Sequence, residues 1–401
     1  MPGFEFLGDK ERAQVNEVMD SGVLMRYGFD AARTHWKAAE MEDALAKKMK
    51  VKHAQLVNSG TAALTVALAS AGVGVGDEVI IPNFTFVATF EAILALSAVP
   101  IMVNIDDTLT LDPKAVEKAI GKHTKAIMPV HMCGSMADLS ALKAICEKHK
   151  LLLIEDACQA IGGSYEGKPL GSYGDLGCFS FDYVKTITCG EGGAVITNNT
   201  DYYTNADHYS DHGHDHQGKD RGADLHPFMG YNHRISELHA AVGLAQLKRL
   251  DSFIAIQEKH YTILRKALQH IPEVSFRRVP EGGVESYAFL SFFLPTATLA
   301  RKTHANFVEA GVDACFYWYD NLWHYHRKWD HLKDLKVLSY LPNPVYDQLP
   351  NYAQTDFSQS DHWMGRTISC LIKLSWNTTE VEKRGKQMAA IIEQLLKTTT
   401  V

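Results

Sequence analysis

The sequence contains few cysteines for its length, and their spacing argues against two common uses of cysteine. The chain has seven cysteines among 401 residues, at positions 133, 146, 158, 178, 189, 315 and 370. The number is odd and no two of them have the C-x-x-C spacing, which argues against a disulfide framework and against a zinc ribbon. We therefore expect the protein to work in a reducing compartment, the cytoplasm.

An excess of positive charge is also missing. The chain has 40 Lys and Arg residues against 47 Asp and Glu residues, which gives a formal net charge of −7 and a pI of about 6.2. This balance provides no electrostatic surface for nucleic acid or for an anionic membrane. Residues 1–10 contain no basic segment followed by an apolar run, so no signal peptide is expected. Residues 79–105 carry one charge, at Glu91, but Pro82 and Pro100 interrupt them, which favours strand, turn, helix and strand over a membrane span.

Short apolar segments alternate with helical patterns between residue 51 and about residue 200. Strands that are apolar throughout are buried on both faces, which is typical of a largely parallel sheet covered by helices. The predicted strands are Ala54–Val57, Val79–Pro82, Ile101–Asn104, Ala126–Val130, Leu151–Glu155, Cys178–Phe181 and Ala194–Thr197. The predicted helices are Thr61–Ala71, Thr85–Leu96, Pro113–Ile120, Met136–His149 and Ser236–Arg249.

The pattern changes after residue 250. A long amphipathic helix over Phe253–His270 leads into short strands such as Phe289–Leu294 and a final helix near Glu380–Lys397. We therefore predict an α/β fold with helices on both faces of a mostly parallel sheet over residues 1–250, and a smaller α+β domain over residues 251–401. Ligands of such sheets bind at the carboxyl ends of the strands, so the chemistry is expected in the loops that follow them.

The first such loop is Ser59-Gly60-Thr61, between a strand and a helix. A helix N-terminus offers free backbone N–H groups and a partial positive charge, which suit a phosphate. The same residues also fit a plain helix cap, because Ser and Thr cap helices without any ligand. The sequence of this loop alone leaves both interpretations open.

Two acids, Glu155 and Asp156, end an otherwise apolar strand. A buried carboxylate is costly without a cationic partner. The protonated nitrogen of a pyridine ring would be such a partner, and Asp156 would keep it protonated so that the ring accepts electrons. A salt bridge or a helix cap explains the acids equally well.

Lys185 follows the next strand, in a loop with the apolar neighbours Val184 and Ile187. A lysine in a dry cleft loses its charge easily and becomes a nucleophile for an aldehyde. Gly190, Gly192 and Gly193 come next in the chain and allow close approach to a flat ligand. A lone loop lysine is usually only solvated. Together with a phosphate cradle and a partner for a pyridinium nitrogen, however, it completes the groups that pyridoxal 5′-phosphate (PLP) requires.

These segments resemble the DegT/StrS family of sugar aminotransferases, which has the aspartate-aminotransferase-like, fold type I architecture. The resemblance runs from about Phe4 to about Leu396 and is most specific in Ser59–Leu64, Pro82–Thr89, Glu155–Ala160, Ser180–Gly193 and Gly230–Leu250. It implies transfer of an amino group from L-glutamate to a carbonyl-bearing sugar, by a ping-pong cycle through pyridoxamine phosphate. Such reactions supply amino sugars for bacterial cell-surface polysaccharide and lipopolysaccharide.

The resemblance also implies a role for each matching residue. Lys185 is expected to hold PLP as a Schiff base, and Asp156 to bind the pyridine nitrogen. The phosphate is expected to bind to Gly60, Thr61 and Ser180. Phe86 is expected to stack on the face of the ring, and Gln159 to contact its hydroxyl side. Asn232 is expected to reach the phosphate of the neighbouring subunit, which implies a homodimer with shared active sites.

One segment departs from the family pattern. The family usually has His or Tyr and then Pro ahead of the lysine, where this chain has Asp182, Tyr183 and Val184. Because Lys185 is present, transamination is still expected, and the family's dehydratase pattern with His at that position is excluded. The altered segment puts the usual substrate class in doubt.

The acceptor sugar has two candidates. Most relatives act on nucleotide-linked 3- or 4-keto hexoses. The altered segment and the His-rich residues 208–226 instead resemble a family member that aminates the eight-carbon acidic sugar Kdo at its terminal carbon. This resemblance implies, as the specific hypothesis, amination of 8-oxo-Kdo to 8-amino-Kdo. The alternatives are the same fold with an amino-acid or oxoamine substrate, and a non-catalytic PLP-binding regulatory homologue. A regulatory homologue would more plausibly have lost Lys185 or Asp156.

Two His-rich segments and one glycine-rich motif complete the candidates. The first segment holds His208, His212, His214 and His216 with Asp207, Asp211 and Asp215. Its spacing can ligate zinc, but a polar loop is the favoured interpretation and no metal is predicted.

The second His-rich segment comprises Phe316–Tyr319 and Trp323–His326, which fit a sugar site or an interface or core equally well. Gly162–Pro169 nearly spells a P-loop, but proline replaces the magnesium-binding residue and no helix is expected to follow.

Overall fold

The computed structural model describes residues 2–218, 221–334 and 347–399, together with Lys336, Leu338 and Val345. Its largest sheet has seven strands in the order β1-β9-β8-β5-β4-β2-β3. All run parallel except β9, which is antiparallel to both neighbours. The strands are β1 His53–Val57, β2 Glu78–Pro82, β3 Val99–Val103, β4 Thr124–Ile127, β5 Leu152–Asp156, β8 Leu176–Ser180 and β9 Gly193–Thr197. The predicted mostly parallel α/β sheet is confirmed.

Helices bury both faces of this sheet. Successive residues of a strand point to opposite faces, and Leu56 and Val57 accordingly lie in two different apolar clusters. The helices among the described residues are α1 Asp9–Ser21, α2 Lys37–Met49, α3 Gly60–Ser70, α4 Val87–Ala95, α5 Pro113–Ala119, α6 Leu139–His149, α7 Thr200–Ser210, α8 Glu237–Leu247, α9 Leu250–Leu268, α10 Ala297–Glu309, α11 Asp330–Lys333, α12 Ser358–Met364 and α13 Thr378–Thr399. None of those that the structure describes is both long and apolar enough to span a membrane.

Three of the predicted boundaries that were wrong have an identifiable physical cause. Strand β4 ends at Ile127 rather than residue 130, and Pro129, which has no N–H group to donate, follows shortly after. Helix α6 begins at Leu139 rather than residue 136, because the Asp138 carboxylate accepts the Ala141 N–H at 3.0 Å as its cap. Helix α4 begins at Val87 rather than residue 85, because residues 85–87 pair with a distant segment described below.

A second, antiparallel sheet has the order β10-β12-β14-β13. It packs with α9, α10 and α13 around an apolar cluster of its own. The strands outside the central sheet are β6 Ser164–Tyr165, β7 Lys168–Pro169, β10 Ser275–Phe276, β11 Gly283–Val284, β12 Phe289–Phe293, β13 Cys315–Phe316 and β14 Thr367–Leu371. The P-loop-like stretch forms the β6–β7 hairpin of a three-stranded sheet, with no helix after it. The division into domains at residue 250 stays a prediction.

The His-rich segment is organised by ion pairs. His208 belongs to helix α7, so the predicted loop begins later than expected. The two ring nitrogens of His216 lie 2.8 Å from Asp207 Oδ2 and 3.0 Å from Asp211 Oδ2. Asp211 also pairs with Arg221 and Arg234. Burial alone would lower the pKa of His216, but the hydrogen bonds to the two carboxylates raise it from 6.5 to about 9.

This network is expected to make stability depend on pH. Because the folded protein holds a proton that an unfolded histidine releases near pH 6.5, His216 stabilises the fold fully below that pH, and the contribution is lost as the pH rises through about 9. The free energy of unfolding in urea, measured at about pH 6 and about pH 10, should fall more for the native chain than for His216→Gln. His331→Gln, at an exposed position, is the control. An equal fall in the His216→Gln variant would contradict the assignment.

Candidate active site

The carboxyl ends of β1, β5 and β8 meet at one edge of the central sheet, where a cavity of about 250 Å³ opens. Strand β1 leads into α3, β5 ends at Asp156, and β8 leads into the loop that carries Lys185. Seven of the eight predicted cofactor residues line this cavity: Gly60, Thr61, Phe86, Asp156, Gln159, Ser180 and Lys185. The eighth, Asn232, does not.

The N-terminus of α3 has both of the properties proposed for it. The Ser59 hydroxyl oxygen accepts the Ala62 N–H at 3.0 Å, so Ser59 is a helix cap. The N–H groups of Gly60 and Thr61 donate to no residue in the described part of the chain. A Cβ atom at Gly60 would lie 2.6 Å from Ser180 Cβ, so glycine lets Ser180 close against the helix end. Two free amides and a neighbouring hydroxyl fit a phosphate.

Asp156 is buried, and its hydrogen-bond partners among the described residues are uncharged. Its side chain accepts the Thr89 hydroxyl at 2.8 Å and the Cys158 N–H at 3.1 Å. No cation among the described residues forms an ion pair with it. A second hydroxyl, of Thr85, lies 2.7 Å from that of Thr89 and extends the chain of hydrogen bonds. A buried carboxylate facing a cavity without a cation fits a positively charged ring nitrogen.

The adjacent acid, Glu155, has a different environment. It is fully buried, and its carboxylate accepts the N–H groups of Gly171, Tyr173 and Gly174 and contacts His131 Nε2 at 2.8 Å. Burial opposes ionisation, but the hydrogen bonds from His131 and the backbone lower the pKa of Glu155 overall. Glu155 therefore anchors the loop over residues 171–174. The groups that satisfy the Glu155 carboxylate are therefore protein groups and not a ligand.

Lys185 enters the cavity from a fixed backbone. Its N–H donates to Asp182 O at 3.0 Å, and its carbonyl accepts the Gly3 N–H at 2.9 Å. Within the part of the chain that the structure describes, its amine forms no hydrogen bond or ion pair. Burial and the Asp156 charge raise the pKa of the Cys158 thiol, while the Lys185 charge acts in the opposite direction. Among the described residues, no side chain therefore competes with a ligand for the amine.

The glycines after Lys185 do not approach the cavity as predicted. A Cβ atom at Gly192 would lie 2.4 Å from Cys189 Sγ, and one at Gly193 would lie 2.3 Å from the Ser59 carbonyl. These two glycines are required because protein atoms pack against them. Of this stretch, Glu191 lines the cavity. In the altered segment, Val184 lines the cavity and Tyr183 stacks on Phe4, with ring centroids 4.3 Å apart.

The second His-rich segment, Phe316–Tyr319 and Trp323–His326, contains both core residues and cavity residues. Tyr325 and Trp318 are buried, and His324 lines the cavity. The N–H groups of Thr85 and Val87 donate to the carbonyls of His324 and Trp323, both at 3.0 Å, and so tie this segment to the start of α4. The Trp323 ring is 59 % exposed and lies parallel to Phe86, with centroids 6.0 Å apart.

Thr89 had no role assigned from the sequence, and His324 was named only within a segment for which a sugar site, an interface and a core were all left open. Thr89 holds Asp156, and His324 faces the same space as Lys185. Burial and the Lys185 charge lower the pKa of His324 from 6.5 to about 3. Thr89 lies in the first turn of α4, which begins directly after Phe86. Its position three residues after the predicted ring-stacking residue could have identified it as a site residue. Nothing local places His324, more than 130 residues beyond Lys185, beside it.

Asn232 lies outside this cavity and is exposed. Its side-chain oxygen accepts the Arg234 N–H at 3.3 Å, and its backbone pairs with Asp211. Tyr231 is 62 % exposed and Met229 is 90 % exposed.

In the described residues, no group of three or more His, Cys, Asp or Glu side chains is arranged to hold a metal ion.

The sequence and fold match known proteins. Residues 6–388 match the model of the DegT/DnrJ/EryC1/StrS aminotransferase family. The chain is 36 % identical over 290 residues to the GDP-perosamine synthase of Vibrio cholerae, which covers 72 % of this chain and 76 % of that protein. It is 42 % identical over 225 residues to the L-glutamine:2-deoxy-scyllo-inosose aminotransferase of Streptoalloteichus tenebrarius, covering 54 % of this chain and 53 % of that protein. The crystal structure of 3-amino-5-hydroxybenzoic acid synthase aligns with a TM-score of 0.82 and 28 % identity over 97 % of both chains.

Proposed function

The chain belongs to the DegT/DnrJ/EryC1/StrS aminotransferase family, and from this premise we propose that it aminates a nucleotide-linked keto sugar for bacterial cell-surface amino sugars. Its membership makes it a PLP-dependent sugar aminotransferase with the fold type I architecture. The match to a GDP-perosamine synthase supports a nucleotide-linked acceptor. The relatives described above give no support to the 8-oxo-Kdo hypothesis, which stays an alternative.

One observation carries the PLP-dependent aminotransfer on which the proposal rests: Lys185, Asp156 and a helix N-terminus with free amides line a single cavity. These groups fit PLP. Gly60, Thr61 and Ser180 would hold its phosphate, Asp156 its ring nitrogen, and Lys185 its reactive carbon. Phe86 and Gln159 would contact the ring. A regulatory protein would not need both the lysine and the aspartate, so a catalytic role is favoured over a non-catalytic one.

The chain's own residues then divide the work of the reaction. When bound, PLP supplies an electron sink for the carbon that loses its proton. Lys185 Nζ would take the proton from the α-carbon of the amino donor and give it up to the reactive carbon of the cofactor, so that the nitrogen stays with the cofactor when the keto acid leaves. Asp156 keeps a proton on the ring nitrogen, and Thr89 fixes the Asp156 carboxylate by its 2.8 Å hydrogen bond. In the second half-reaction, the same groups act in reverse on the keto sugar.

The amino donor and the acceptor are tested together. Purified enzyme loaded with PLP is given L-glutamate or L-glutamine, with a GDP-linked 4-keto hexose, 2-deoxy-scyllo-inosose or 8-oxo-Kdo as the acceptor. We expect an aminated nucleotide sugar, detected by mass spectrometry, with L-glutamate as the preferred donor. Because one relative is an L-glutamine:2-deoxy-scyllo-inosose aminotransferase, L-glutamine is the main alternative to L-glutamate as the amino donor. Amination of 8-oxo-Kdo alone, or of 2-deoxy-scyllo-inosose alone, would contradict the proposal that the acceptor is nucleotide-linked.

We further propose a homodimer in which Asn232 contributes to the neighbouring active site. Its exposure outside its own cavity, beside the exposed Tyr231 and Met229, supports this arrangement. The ion pair between Asp211 and Arg234 holds the same segment in place. Sedimentation of the active enzyme tests the proposal, because a fully active monomer would contradict it.

A further inference from the structure

The imidazole of His324 is held in one position at the wall of the cavity. Its ring centroid lies 5.3 Å from that of Phe86 and 4.6 Å from that of Trp318. The backbone on either side is tied to the start of α4 by the two 3.0 Å hydrogen bonds to Thr85 and Val87. The ring therefore presents a fixed edge to a ligand.

Hydrogen bonding also determines which ring nitrogen carries the proton. The backbone N–H of Trp323 is necessarily a donor, and it lies 2.9 Å from Asn321 Oδ1. The Asn321 atom at this position must therefore be the amide oxygen, an acceptor. The same oxygen lies 3.1 Å from His324 Nδ1, so Nδ1 must carry a hydrogen and donate it.

The other nitrogen, Nε2, is consequently an acceptor. Burial and the nearby charge of Lys185 keep the ring neutral by lowering the pKa of His324 to about 3, and among the described residues Nε2 has no hydrogen-bond partner. A neutral nitrogen with a lone pair attracts hydroxyl and N–H groups and repels carboxylate and phosphate oxygens. Apart from its reacting amino group, L-glutamate offers carboxylates, whereas an acceptor sugar offers hydroxyl groups.

We propose that His324 selects the acceptor, its Nε2 accepting a hydrogen bond from a sugar hydroxyl next to the reacting carbonyl, and that Asn321 is the positioning residue that sets its tautomer. This inference rests on the proposed function. It places the hydroxyl beside the carbonyl because His324 and Lys185 line the same cavity and are close enough for the lysine charge to affect the imidazole. The effect of His324 is therefore confined to the second half-reaction.

Single-turnover kinetics test this division. His324→Phe keeps an aromatic ring but has no acceptor, and His324→Gln can place an oxygen near the position of Nε2. We expect His324→Phe to slow amination of a nucleotide-linked 4-keto hexose about tenfold, with the amino-donor half-reaction unchanged. His324→Gln should recover part of the loss. His331→Phe, an exposed position, is the control.

An acceptor analogue that lacks the adjacent hydroxyl makes the test specific. The native enzyme should lose about tenfold in kcat/KM on this analogue, and His324→Phe should lose nothing further. Equal slowing of both half-reactions by His324→Phe would overturn the proposal, because the imidazole would then serve the Lys185 amine. If the native enzyme aminates no nucleotide sugar at all, the proposed function fails instead.

The tautomer is measurable without any turnover. In uniformly ¹⁵N-labelled protein, the His324 signals are identified by their loss in His324→Phe. We expect Nδ1 to be the protonated nitrogen and Nε2 the bare one near neutral pH, and we expect Asn321→Ala to change this ratio. A ring protonated at Nε2, or at both nitrogens, would overturn the proposal even if the variant enzymes are inactive.

Discussion

Replacing Lys185 with alanine is expected to lower turnover by at least about 10³-fold, because the change removes both the covalent attachment of the cofactor and the group that moves the proton. Fold and stability should be unaffected, since the Lys185 amine contacts no partner among the described residues. The visible absorption that PLP gives when bound to a lysine should also be lost. Steady-state kinetics and the absorption spectrum measure the two effects.

The control for this variant is Lys122→Ala, at an exposed position away from the cavity. It should retain full activity and the absorption band. An added small primary amine should restore part of the activity of Lys185→Ala, because it can replace the missing proton carrier. A Lys185→Ala variant with more than about one tenth of native turnover would contradict the role of Lys185.

Asp156→Asn is expected to reduce turnover by about 10²-fold or more without destabilising the protein. Asparagine has the same shape and still accepts the Cys158 N–H, but it cannot hold a proton on the ring nitrogen. Removing a buried charge that has no cationic partner in the described part of the chain should leave the stability of the cofactor-free protein unchanged or raised. Single-turnover kinetics with an amino donor and unfolding in urea measure the two quantities.

The neighbouring acid provides a matched control, because Glu155→Gln makes the same chemical change one residue away. Its carboxylate accepts three backbone N–H groups and contacts His131. The side-chain NH₂ of glutamine would therefore face backbone N–H groups, which are also hydrogen-bond donors. We expect a loss of about 1–3 kcal/mol in the free energy of unfolding, with near-native turnover per folded molecule. The reverse pattern, in which Asp156→Asn unfolds and Glu155→Gln inactivates, would contradict the assignment.

The contrast between these two acids shows where sequence reasoning ends. Their apolar strand and its end were predictable, because burial on both faces leaves a visible run of apolar residues. Which acid faces the cavity was not, because that depends on the loop over residues 171–174, whose N–H groups surround Glu155. Lys185 was predictable because it lies in the loop that follows a buried strand.

Long-range pairings were the other obstacle. The segment around His324 reaches the cavity by hydrogen bonds to Thr85 and Val87, more than 230 residues earlier, and the same bonds delay the start of α4. No periodicity in either segment encodes the pairing. The departure at Asp182, Tyr183 and Val184 was visible in the sequence, but only the structure shows that Val184 lines the cavity while Tyr183 stacks on Phe4.

The most direct test of the account is to find the lysine that holds the cofactor. The PLP-loaded enzyme is treated with borohydride, which fixes the cofactor to the lysine that carries it, and is then digested and analysed by mass spectrometry. We predict that the added mass lies on Lys185 alone and that prior incubation with L-glutamate prevents the labelling. Labelling of another lysine, or no labelling of enzyme that binds PLP, would contradict the central role of the Lys185 cavity.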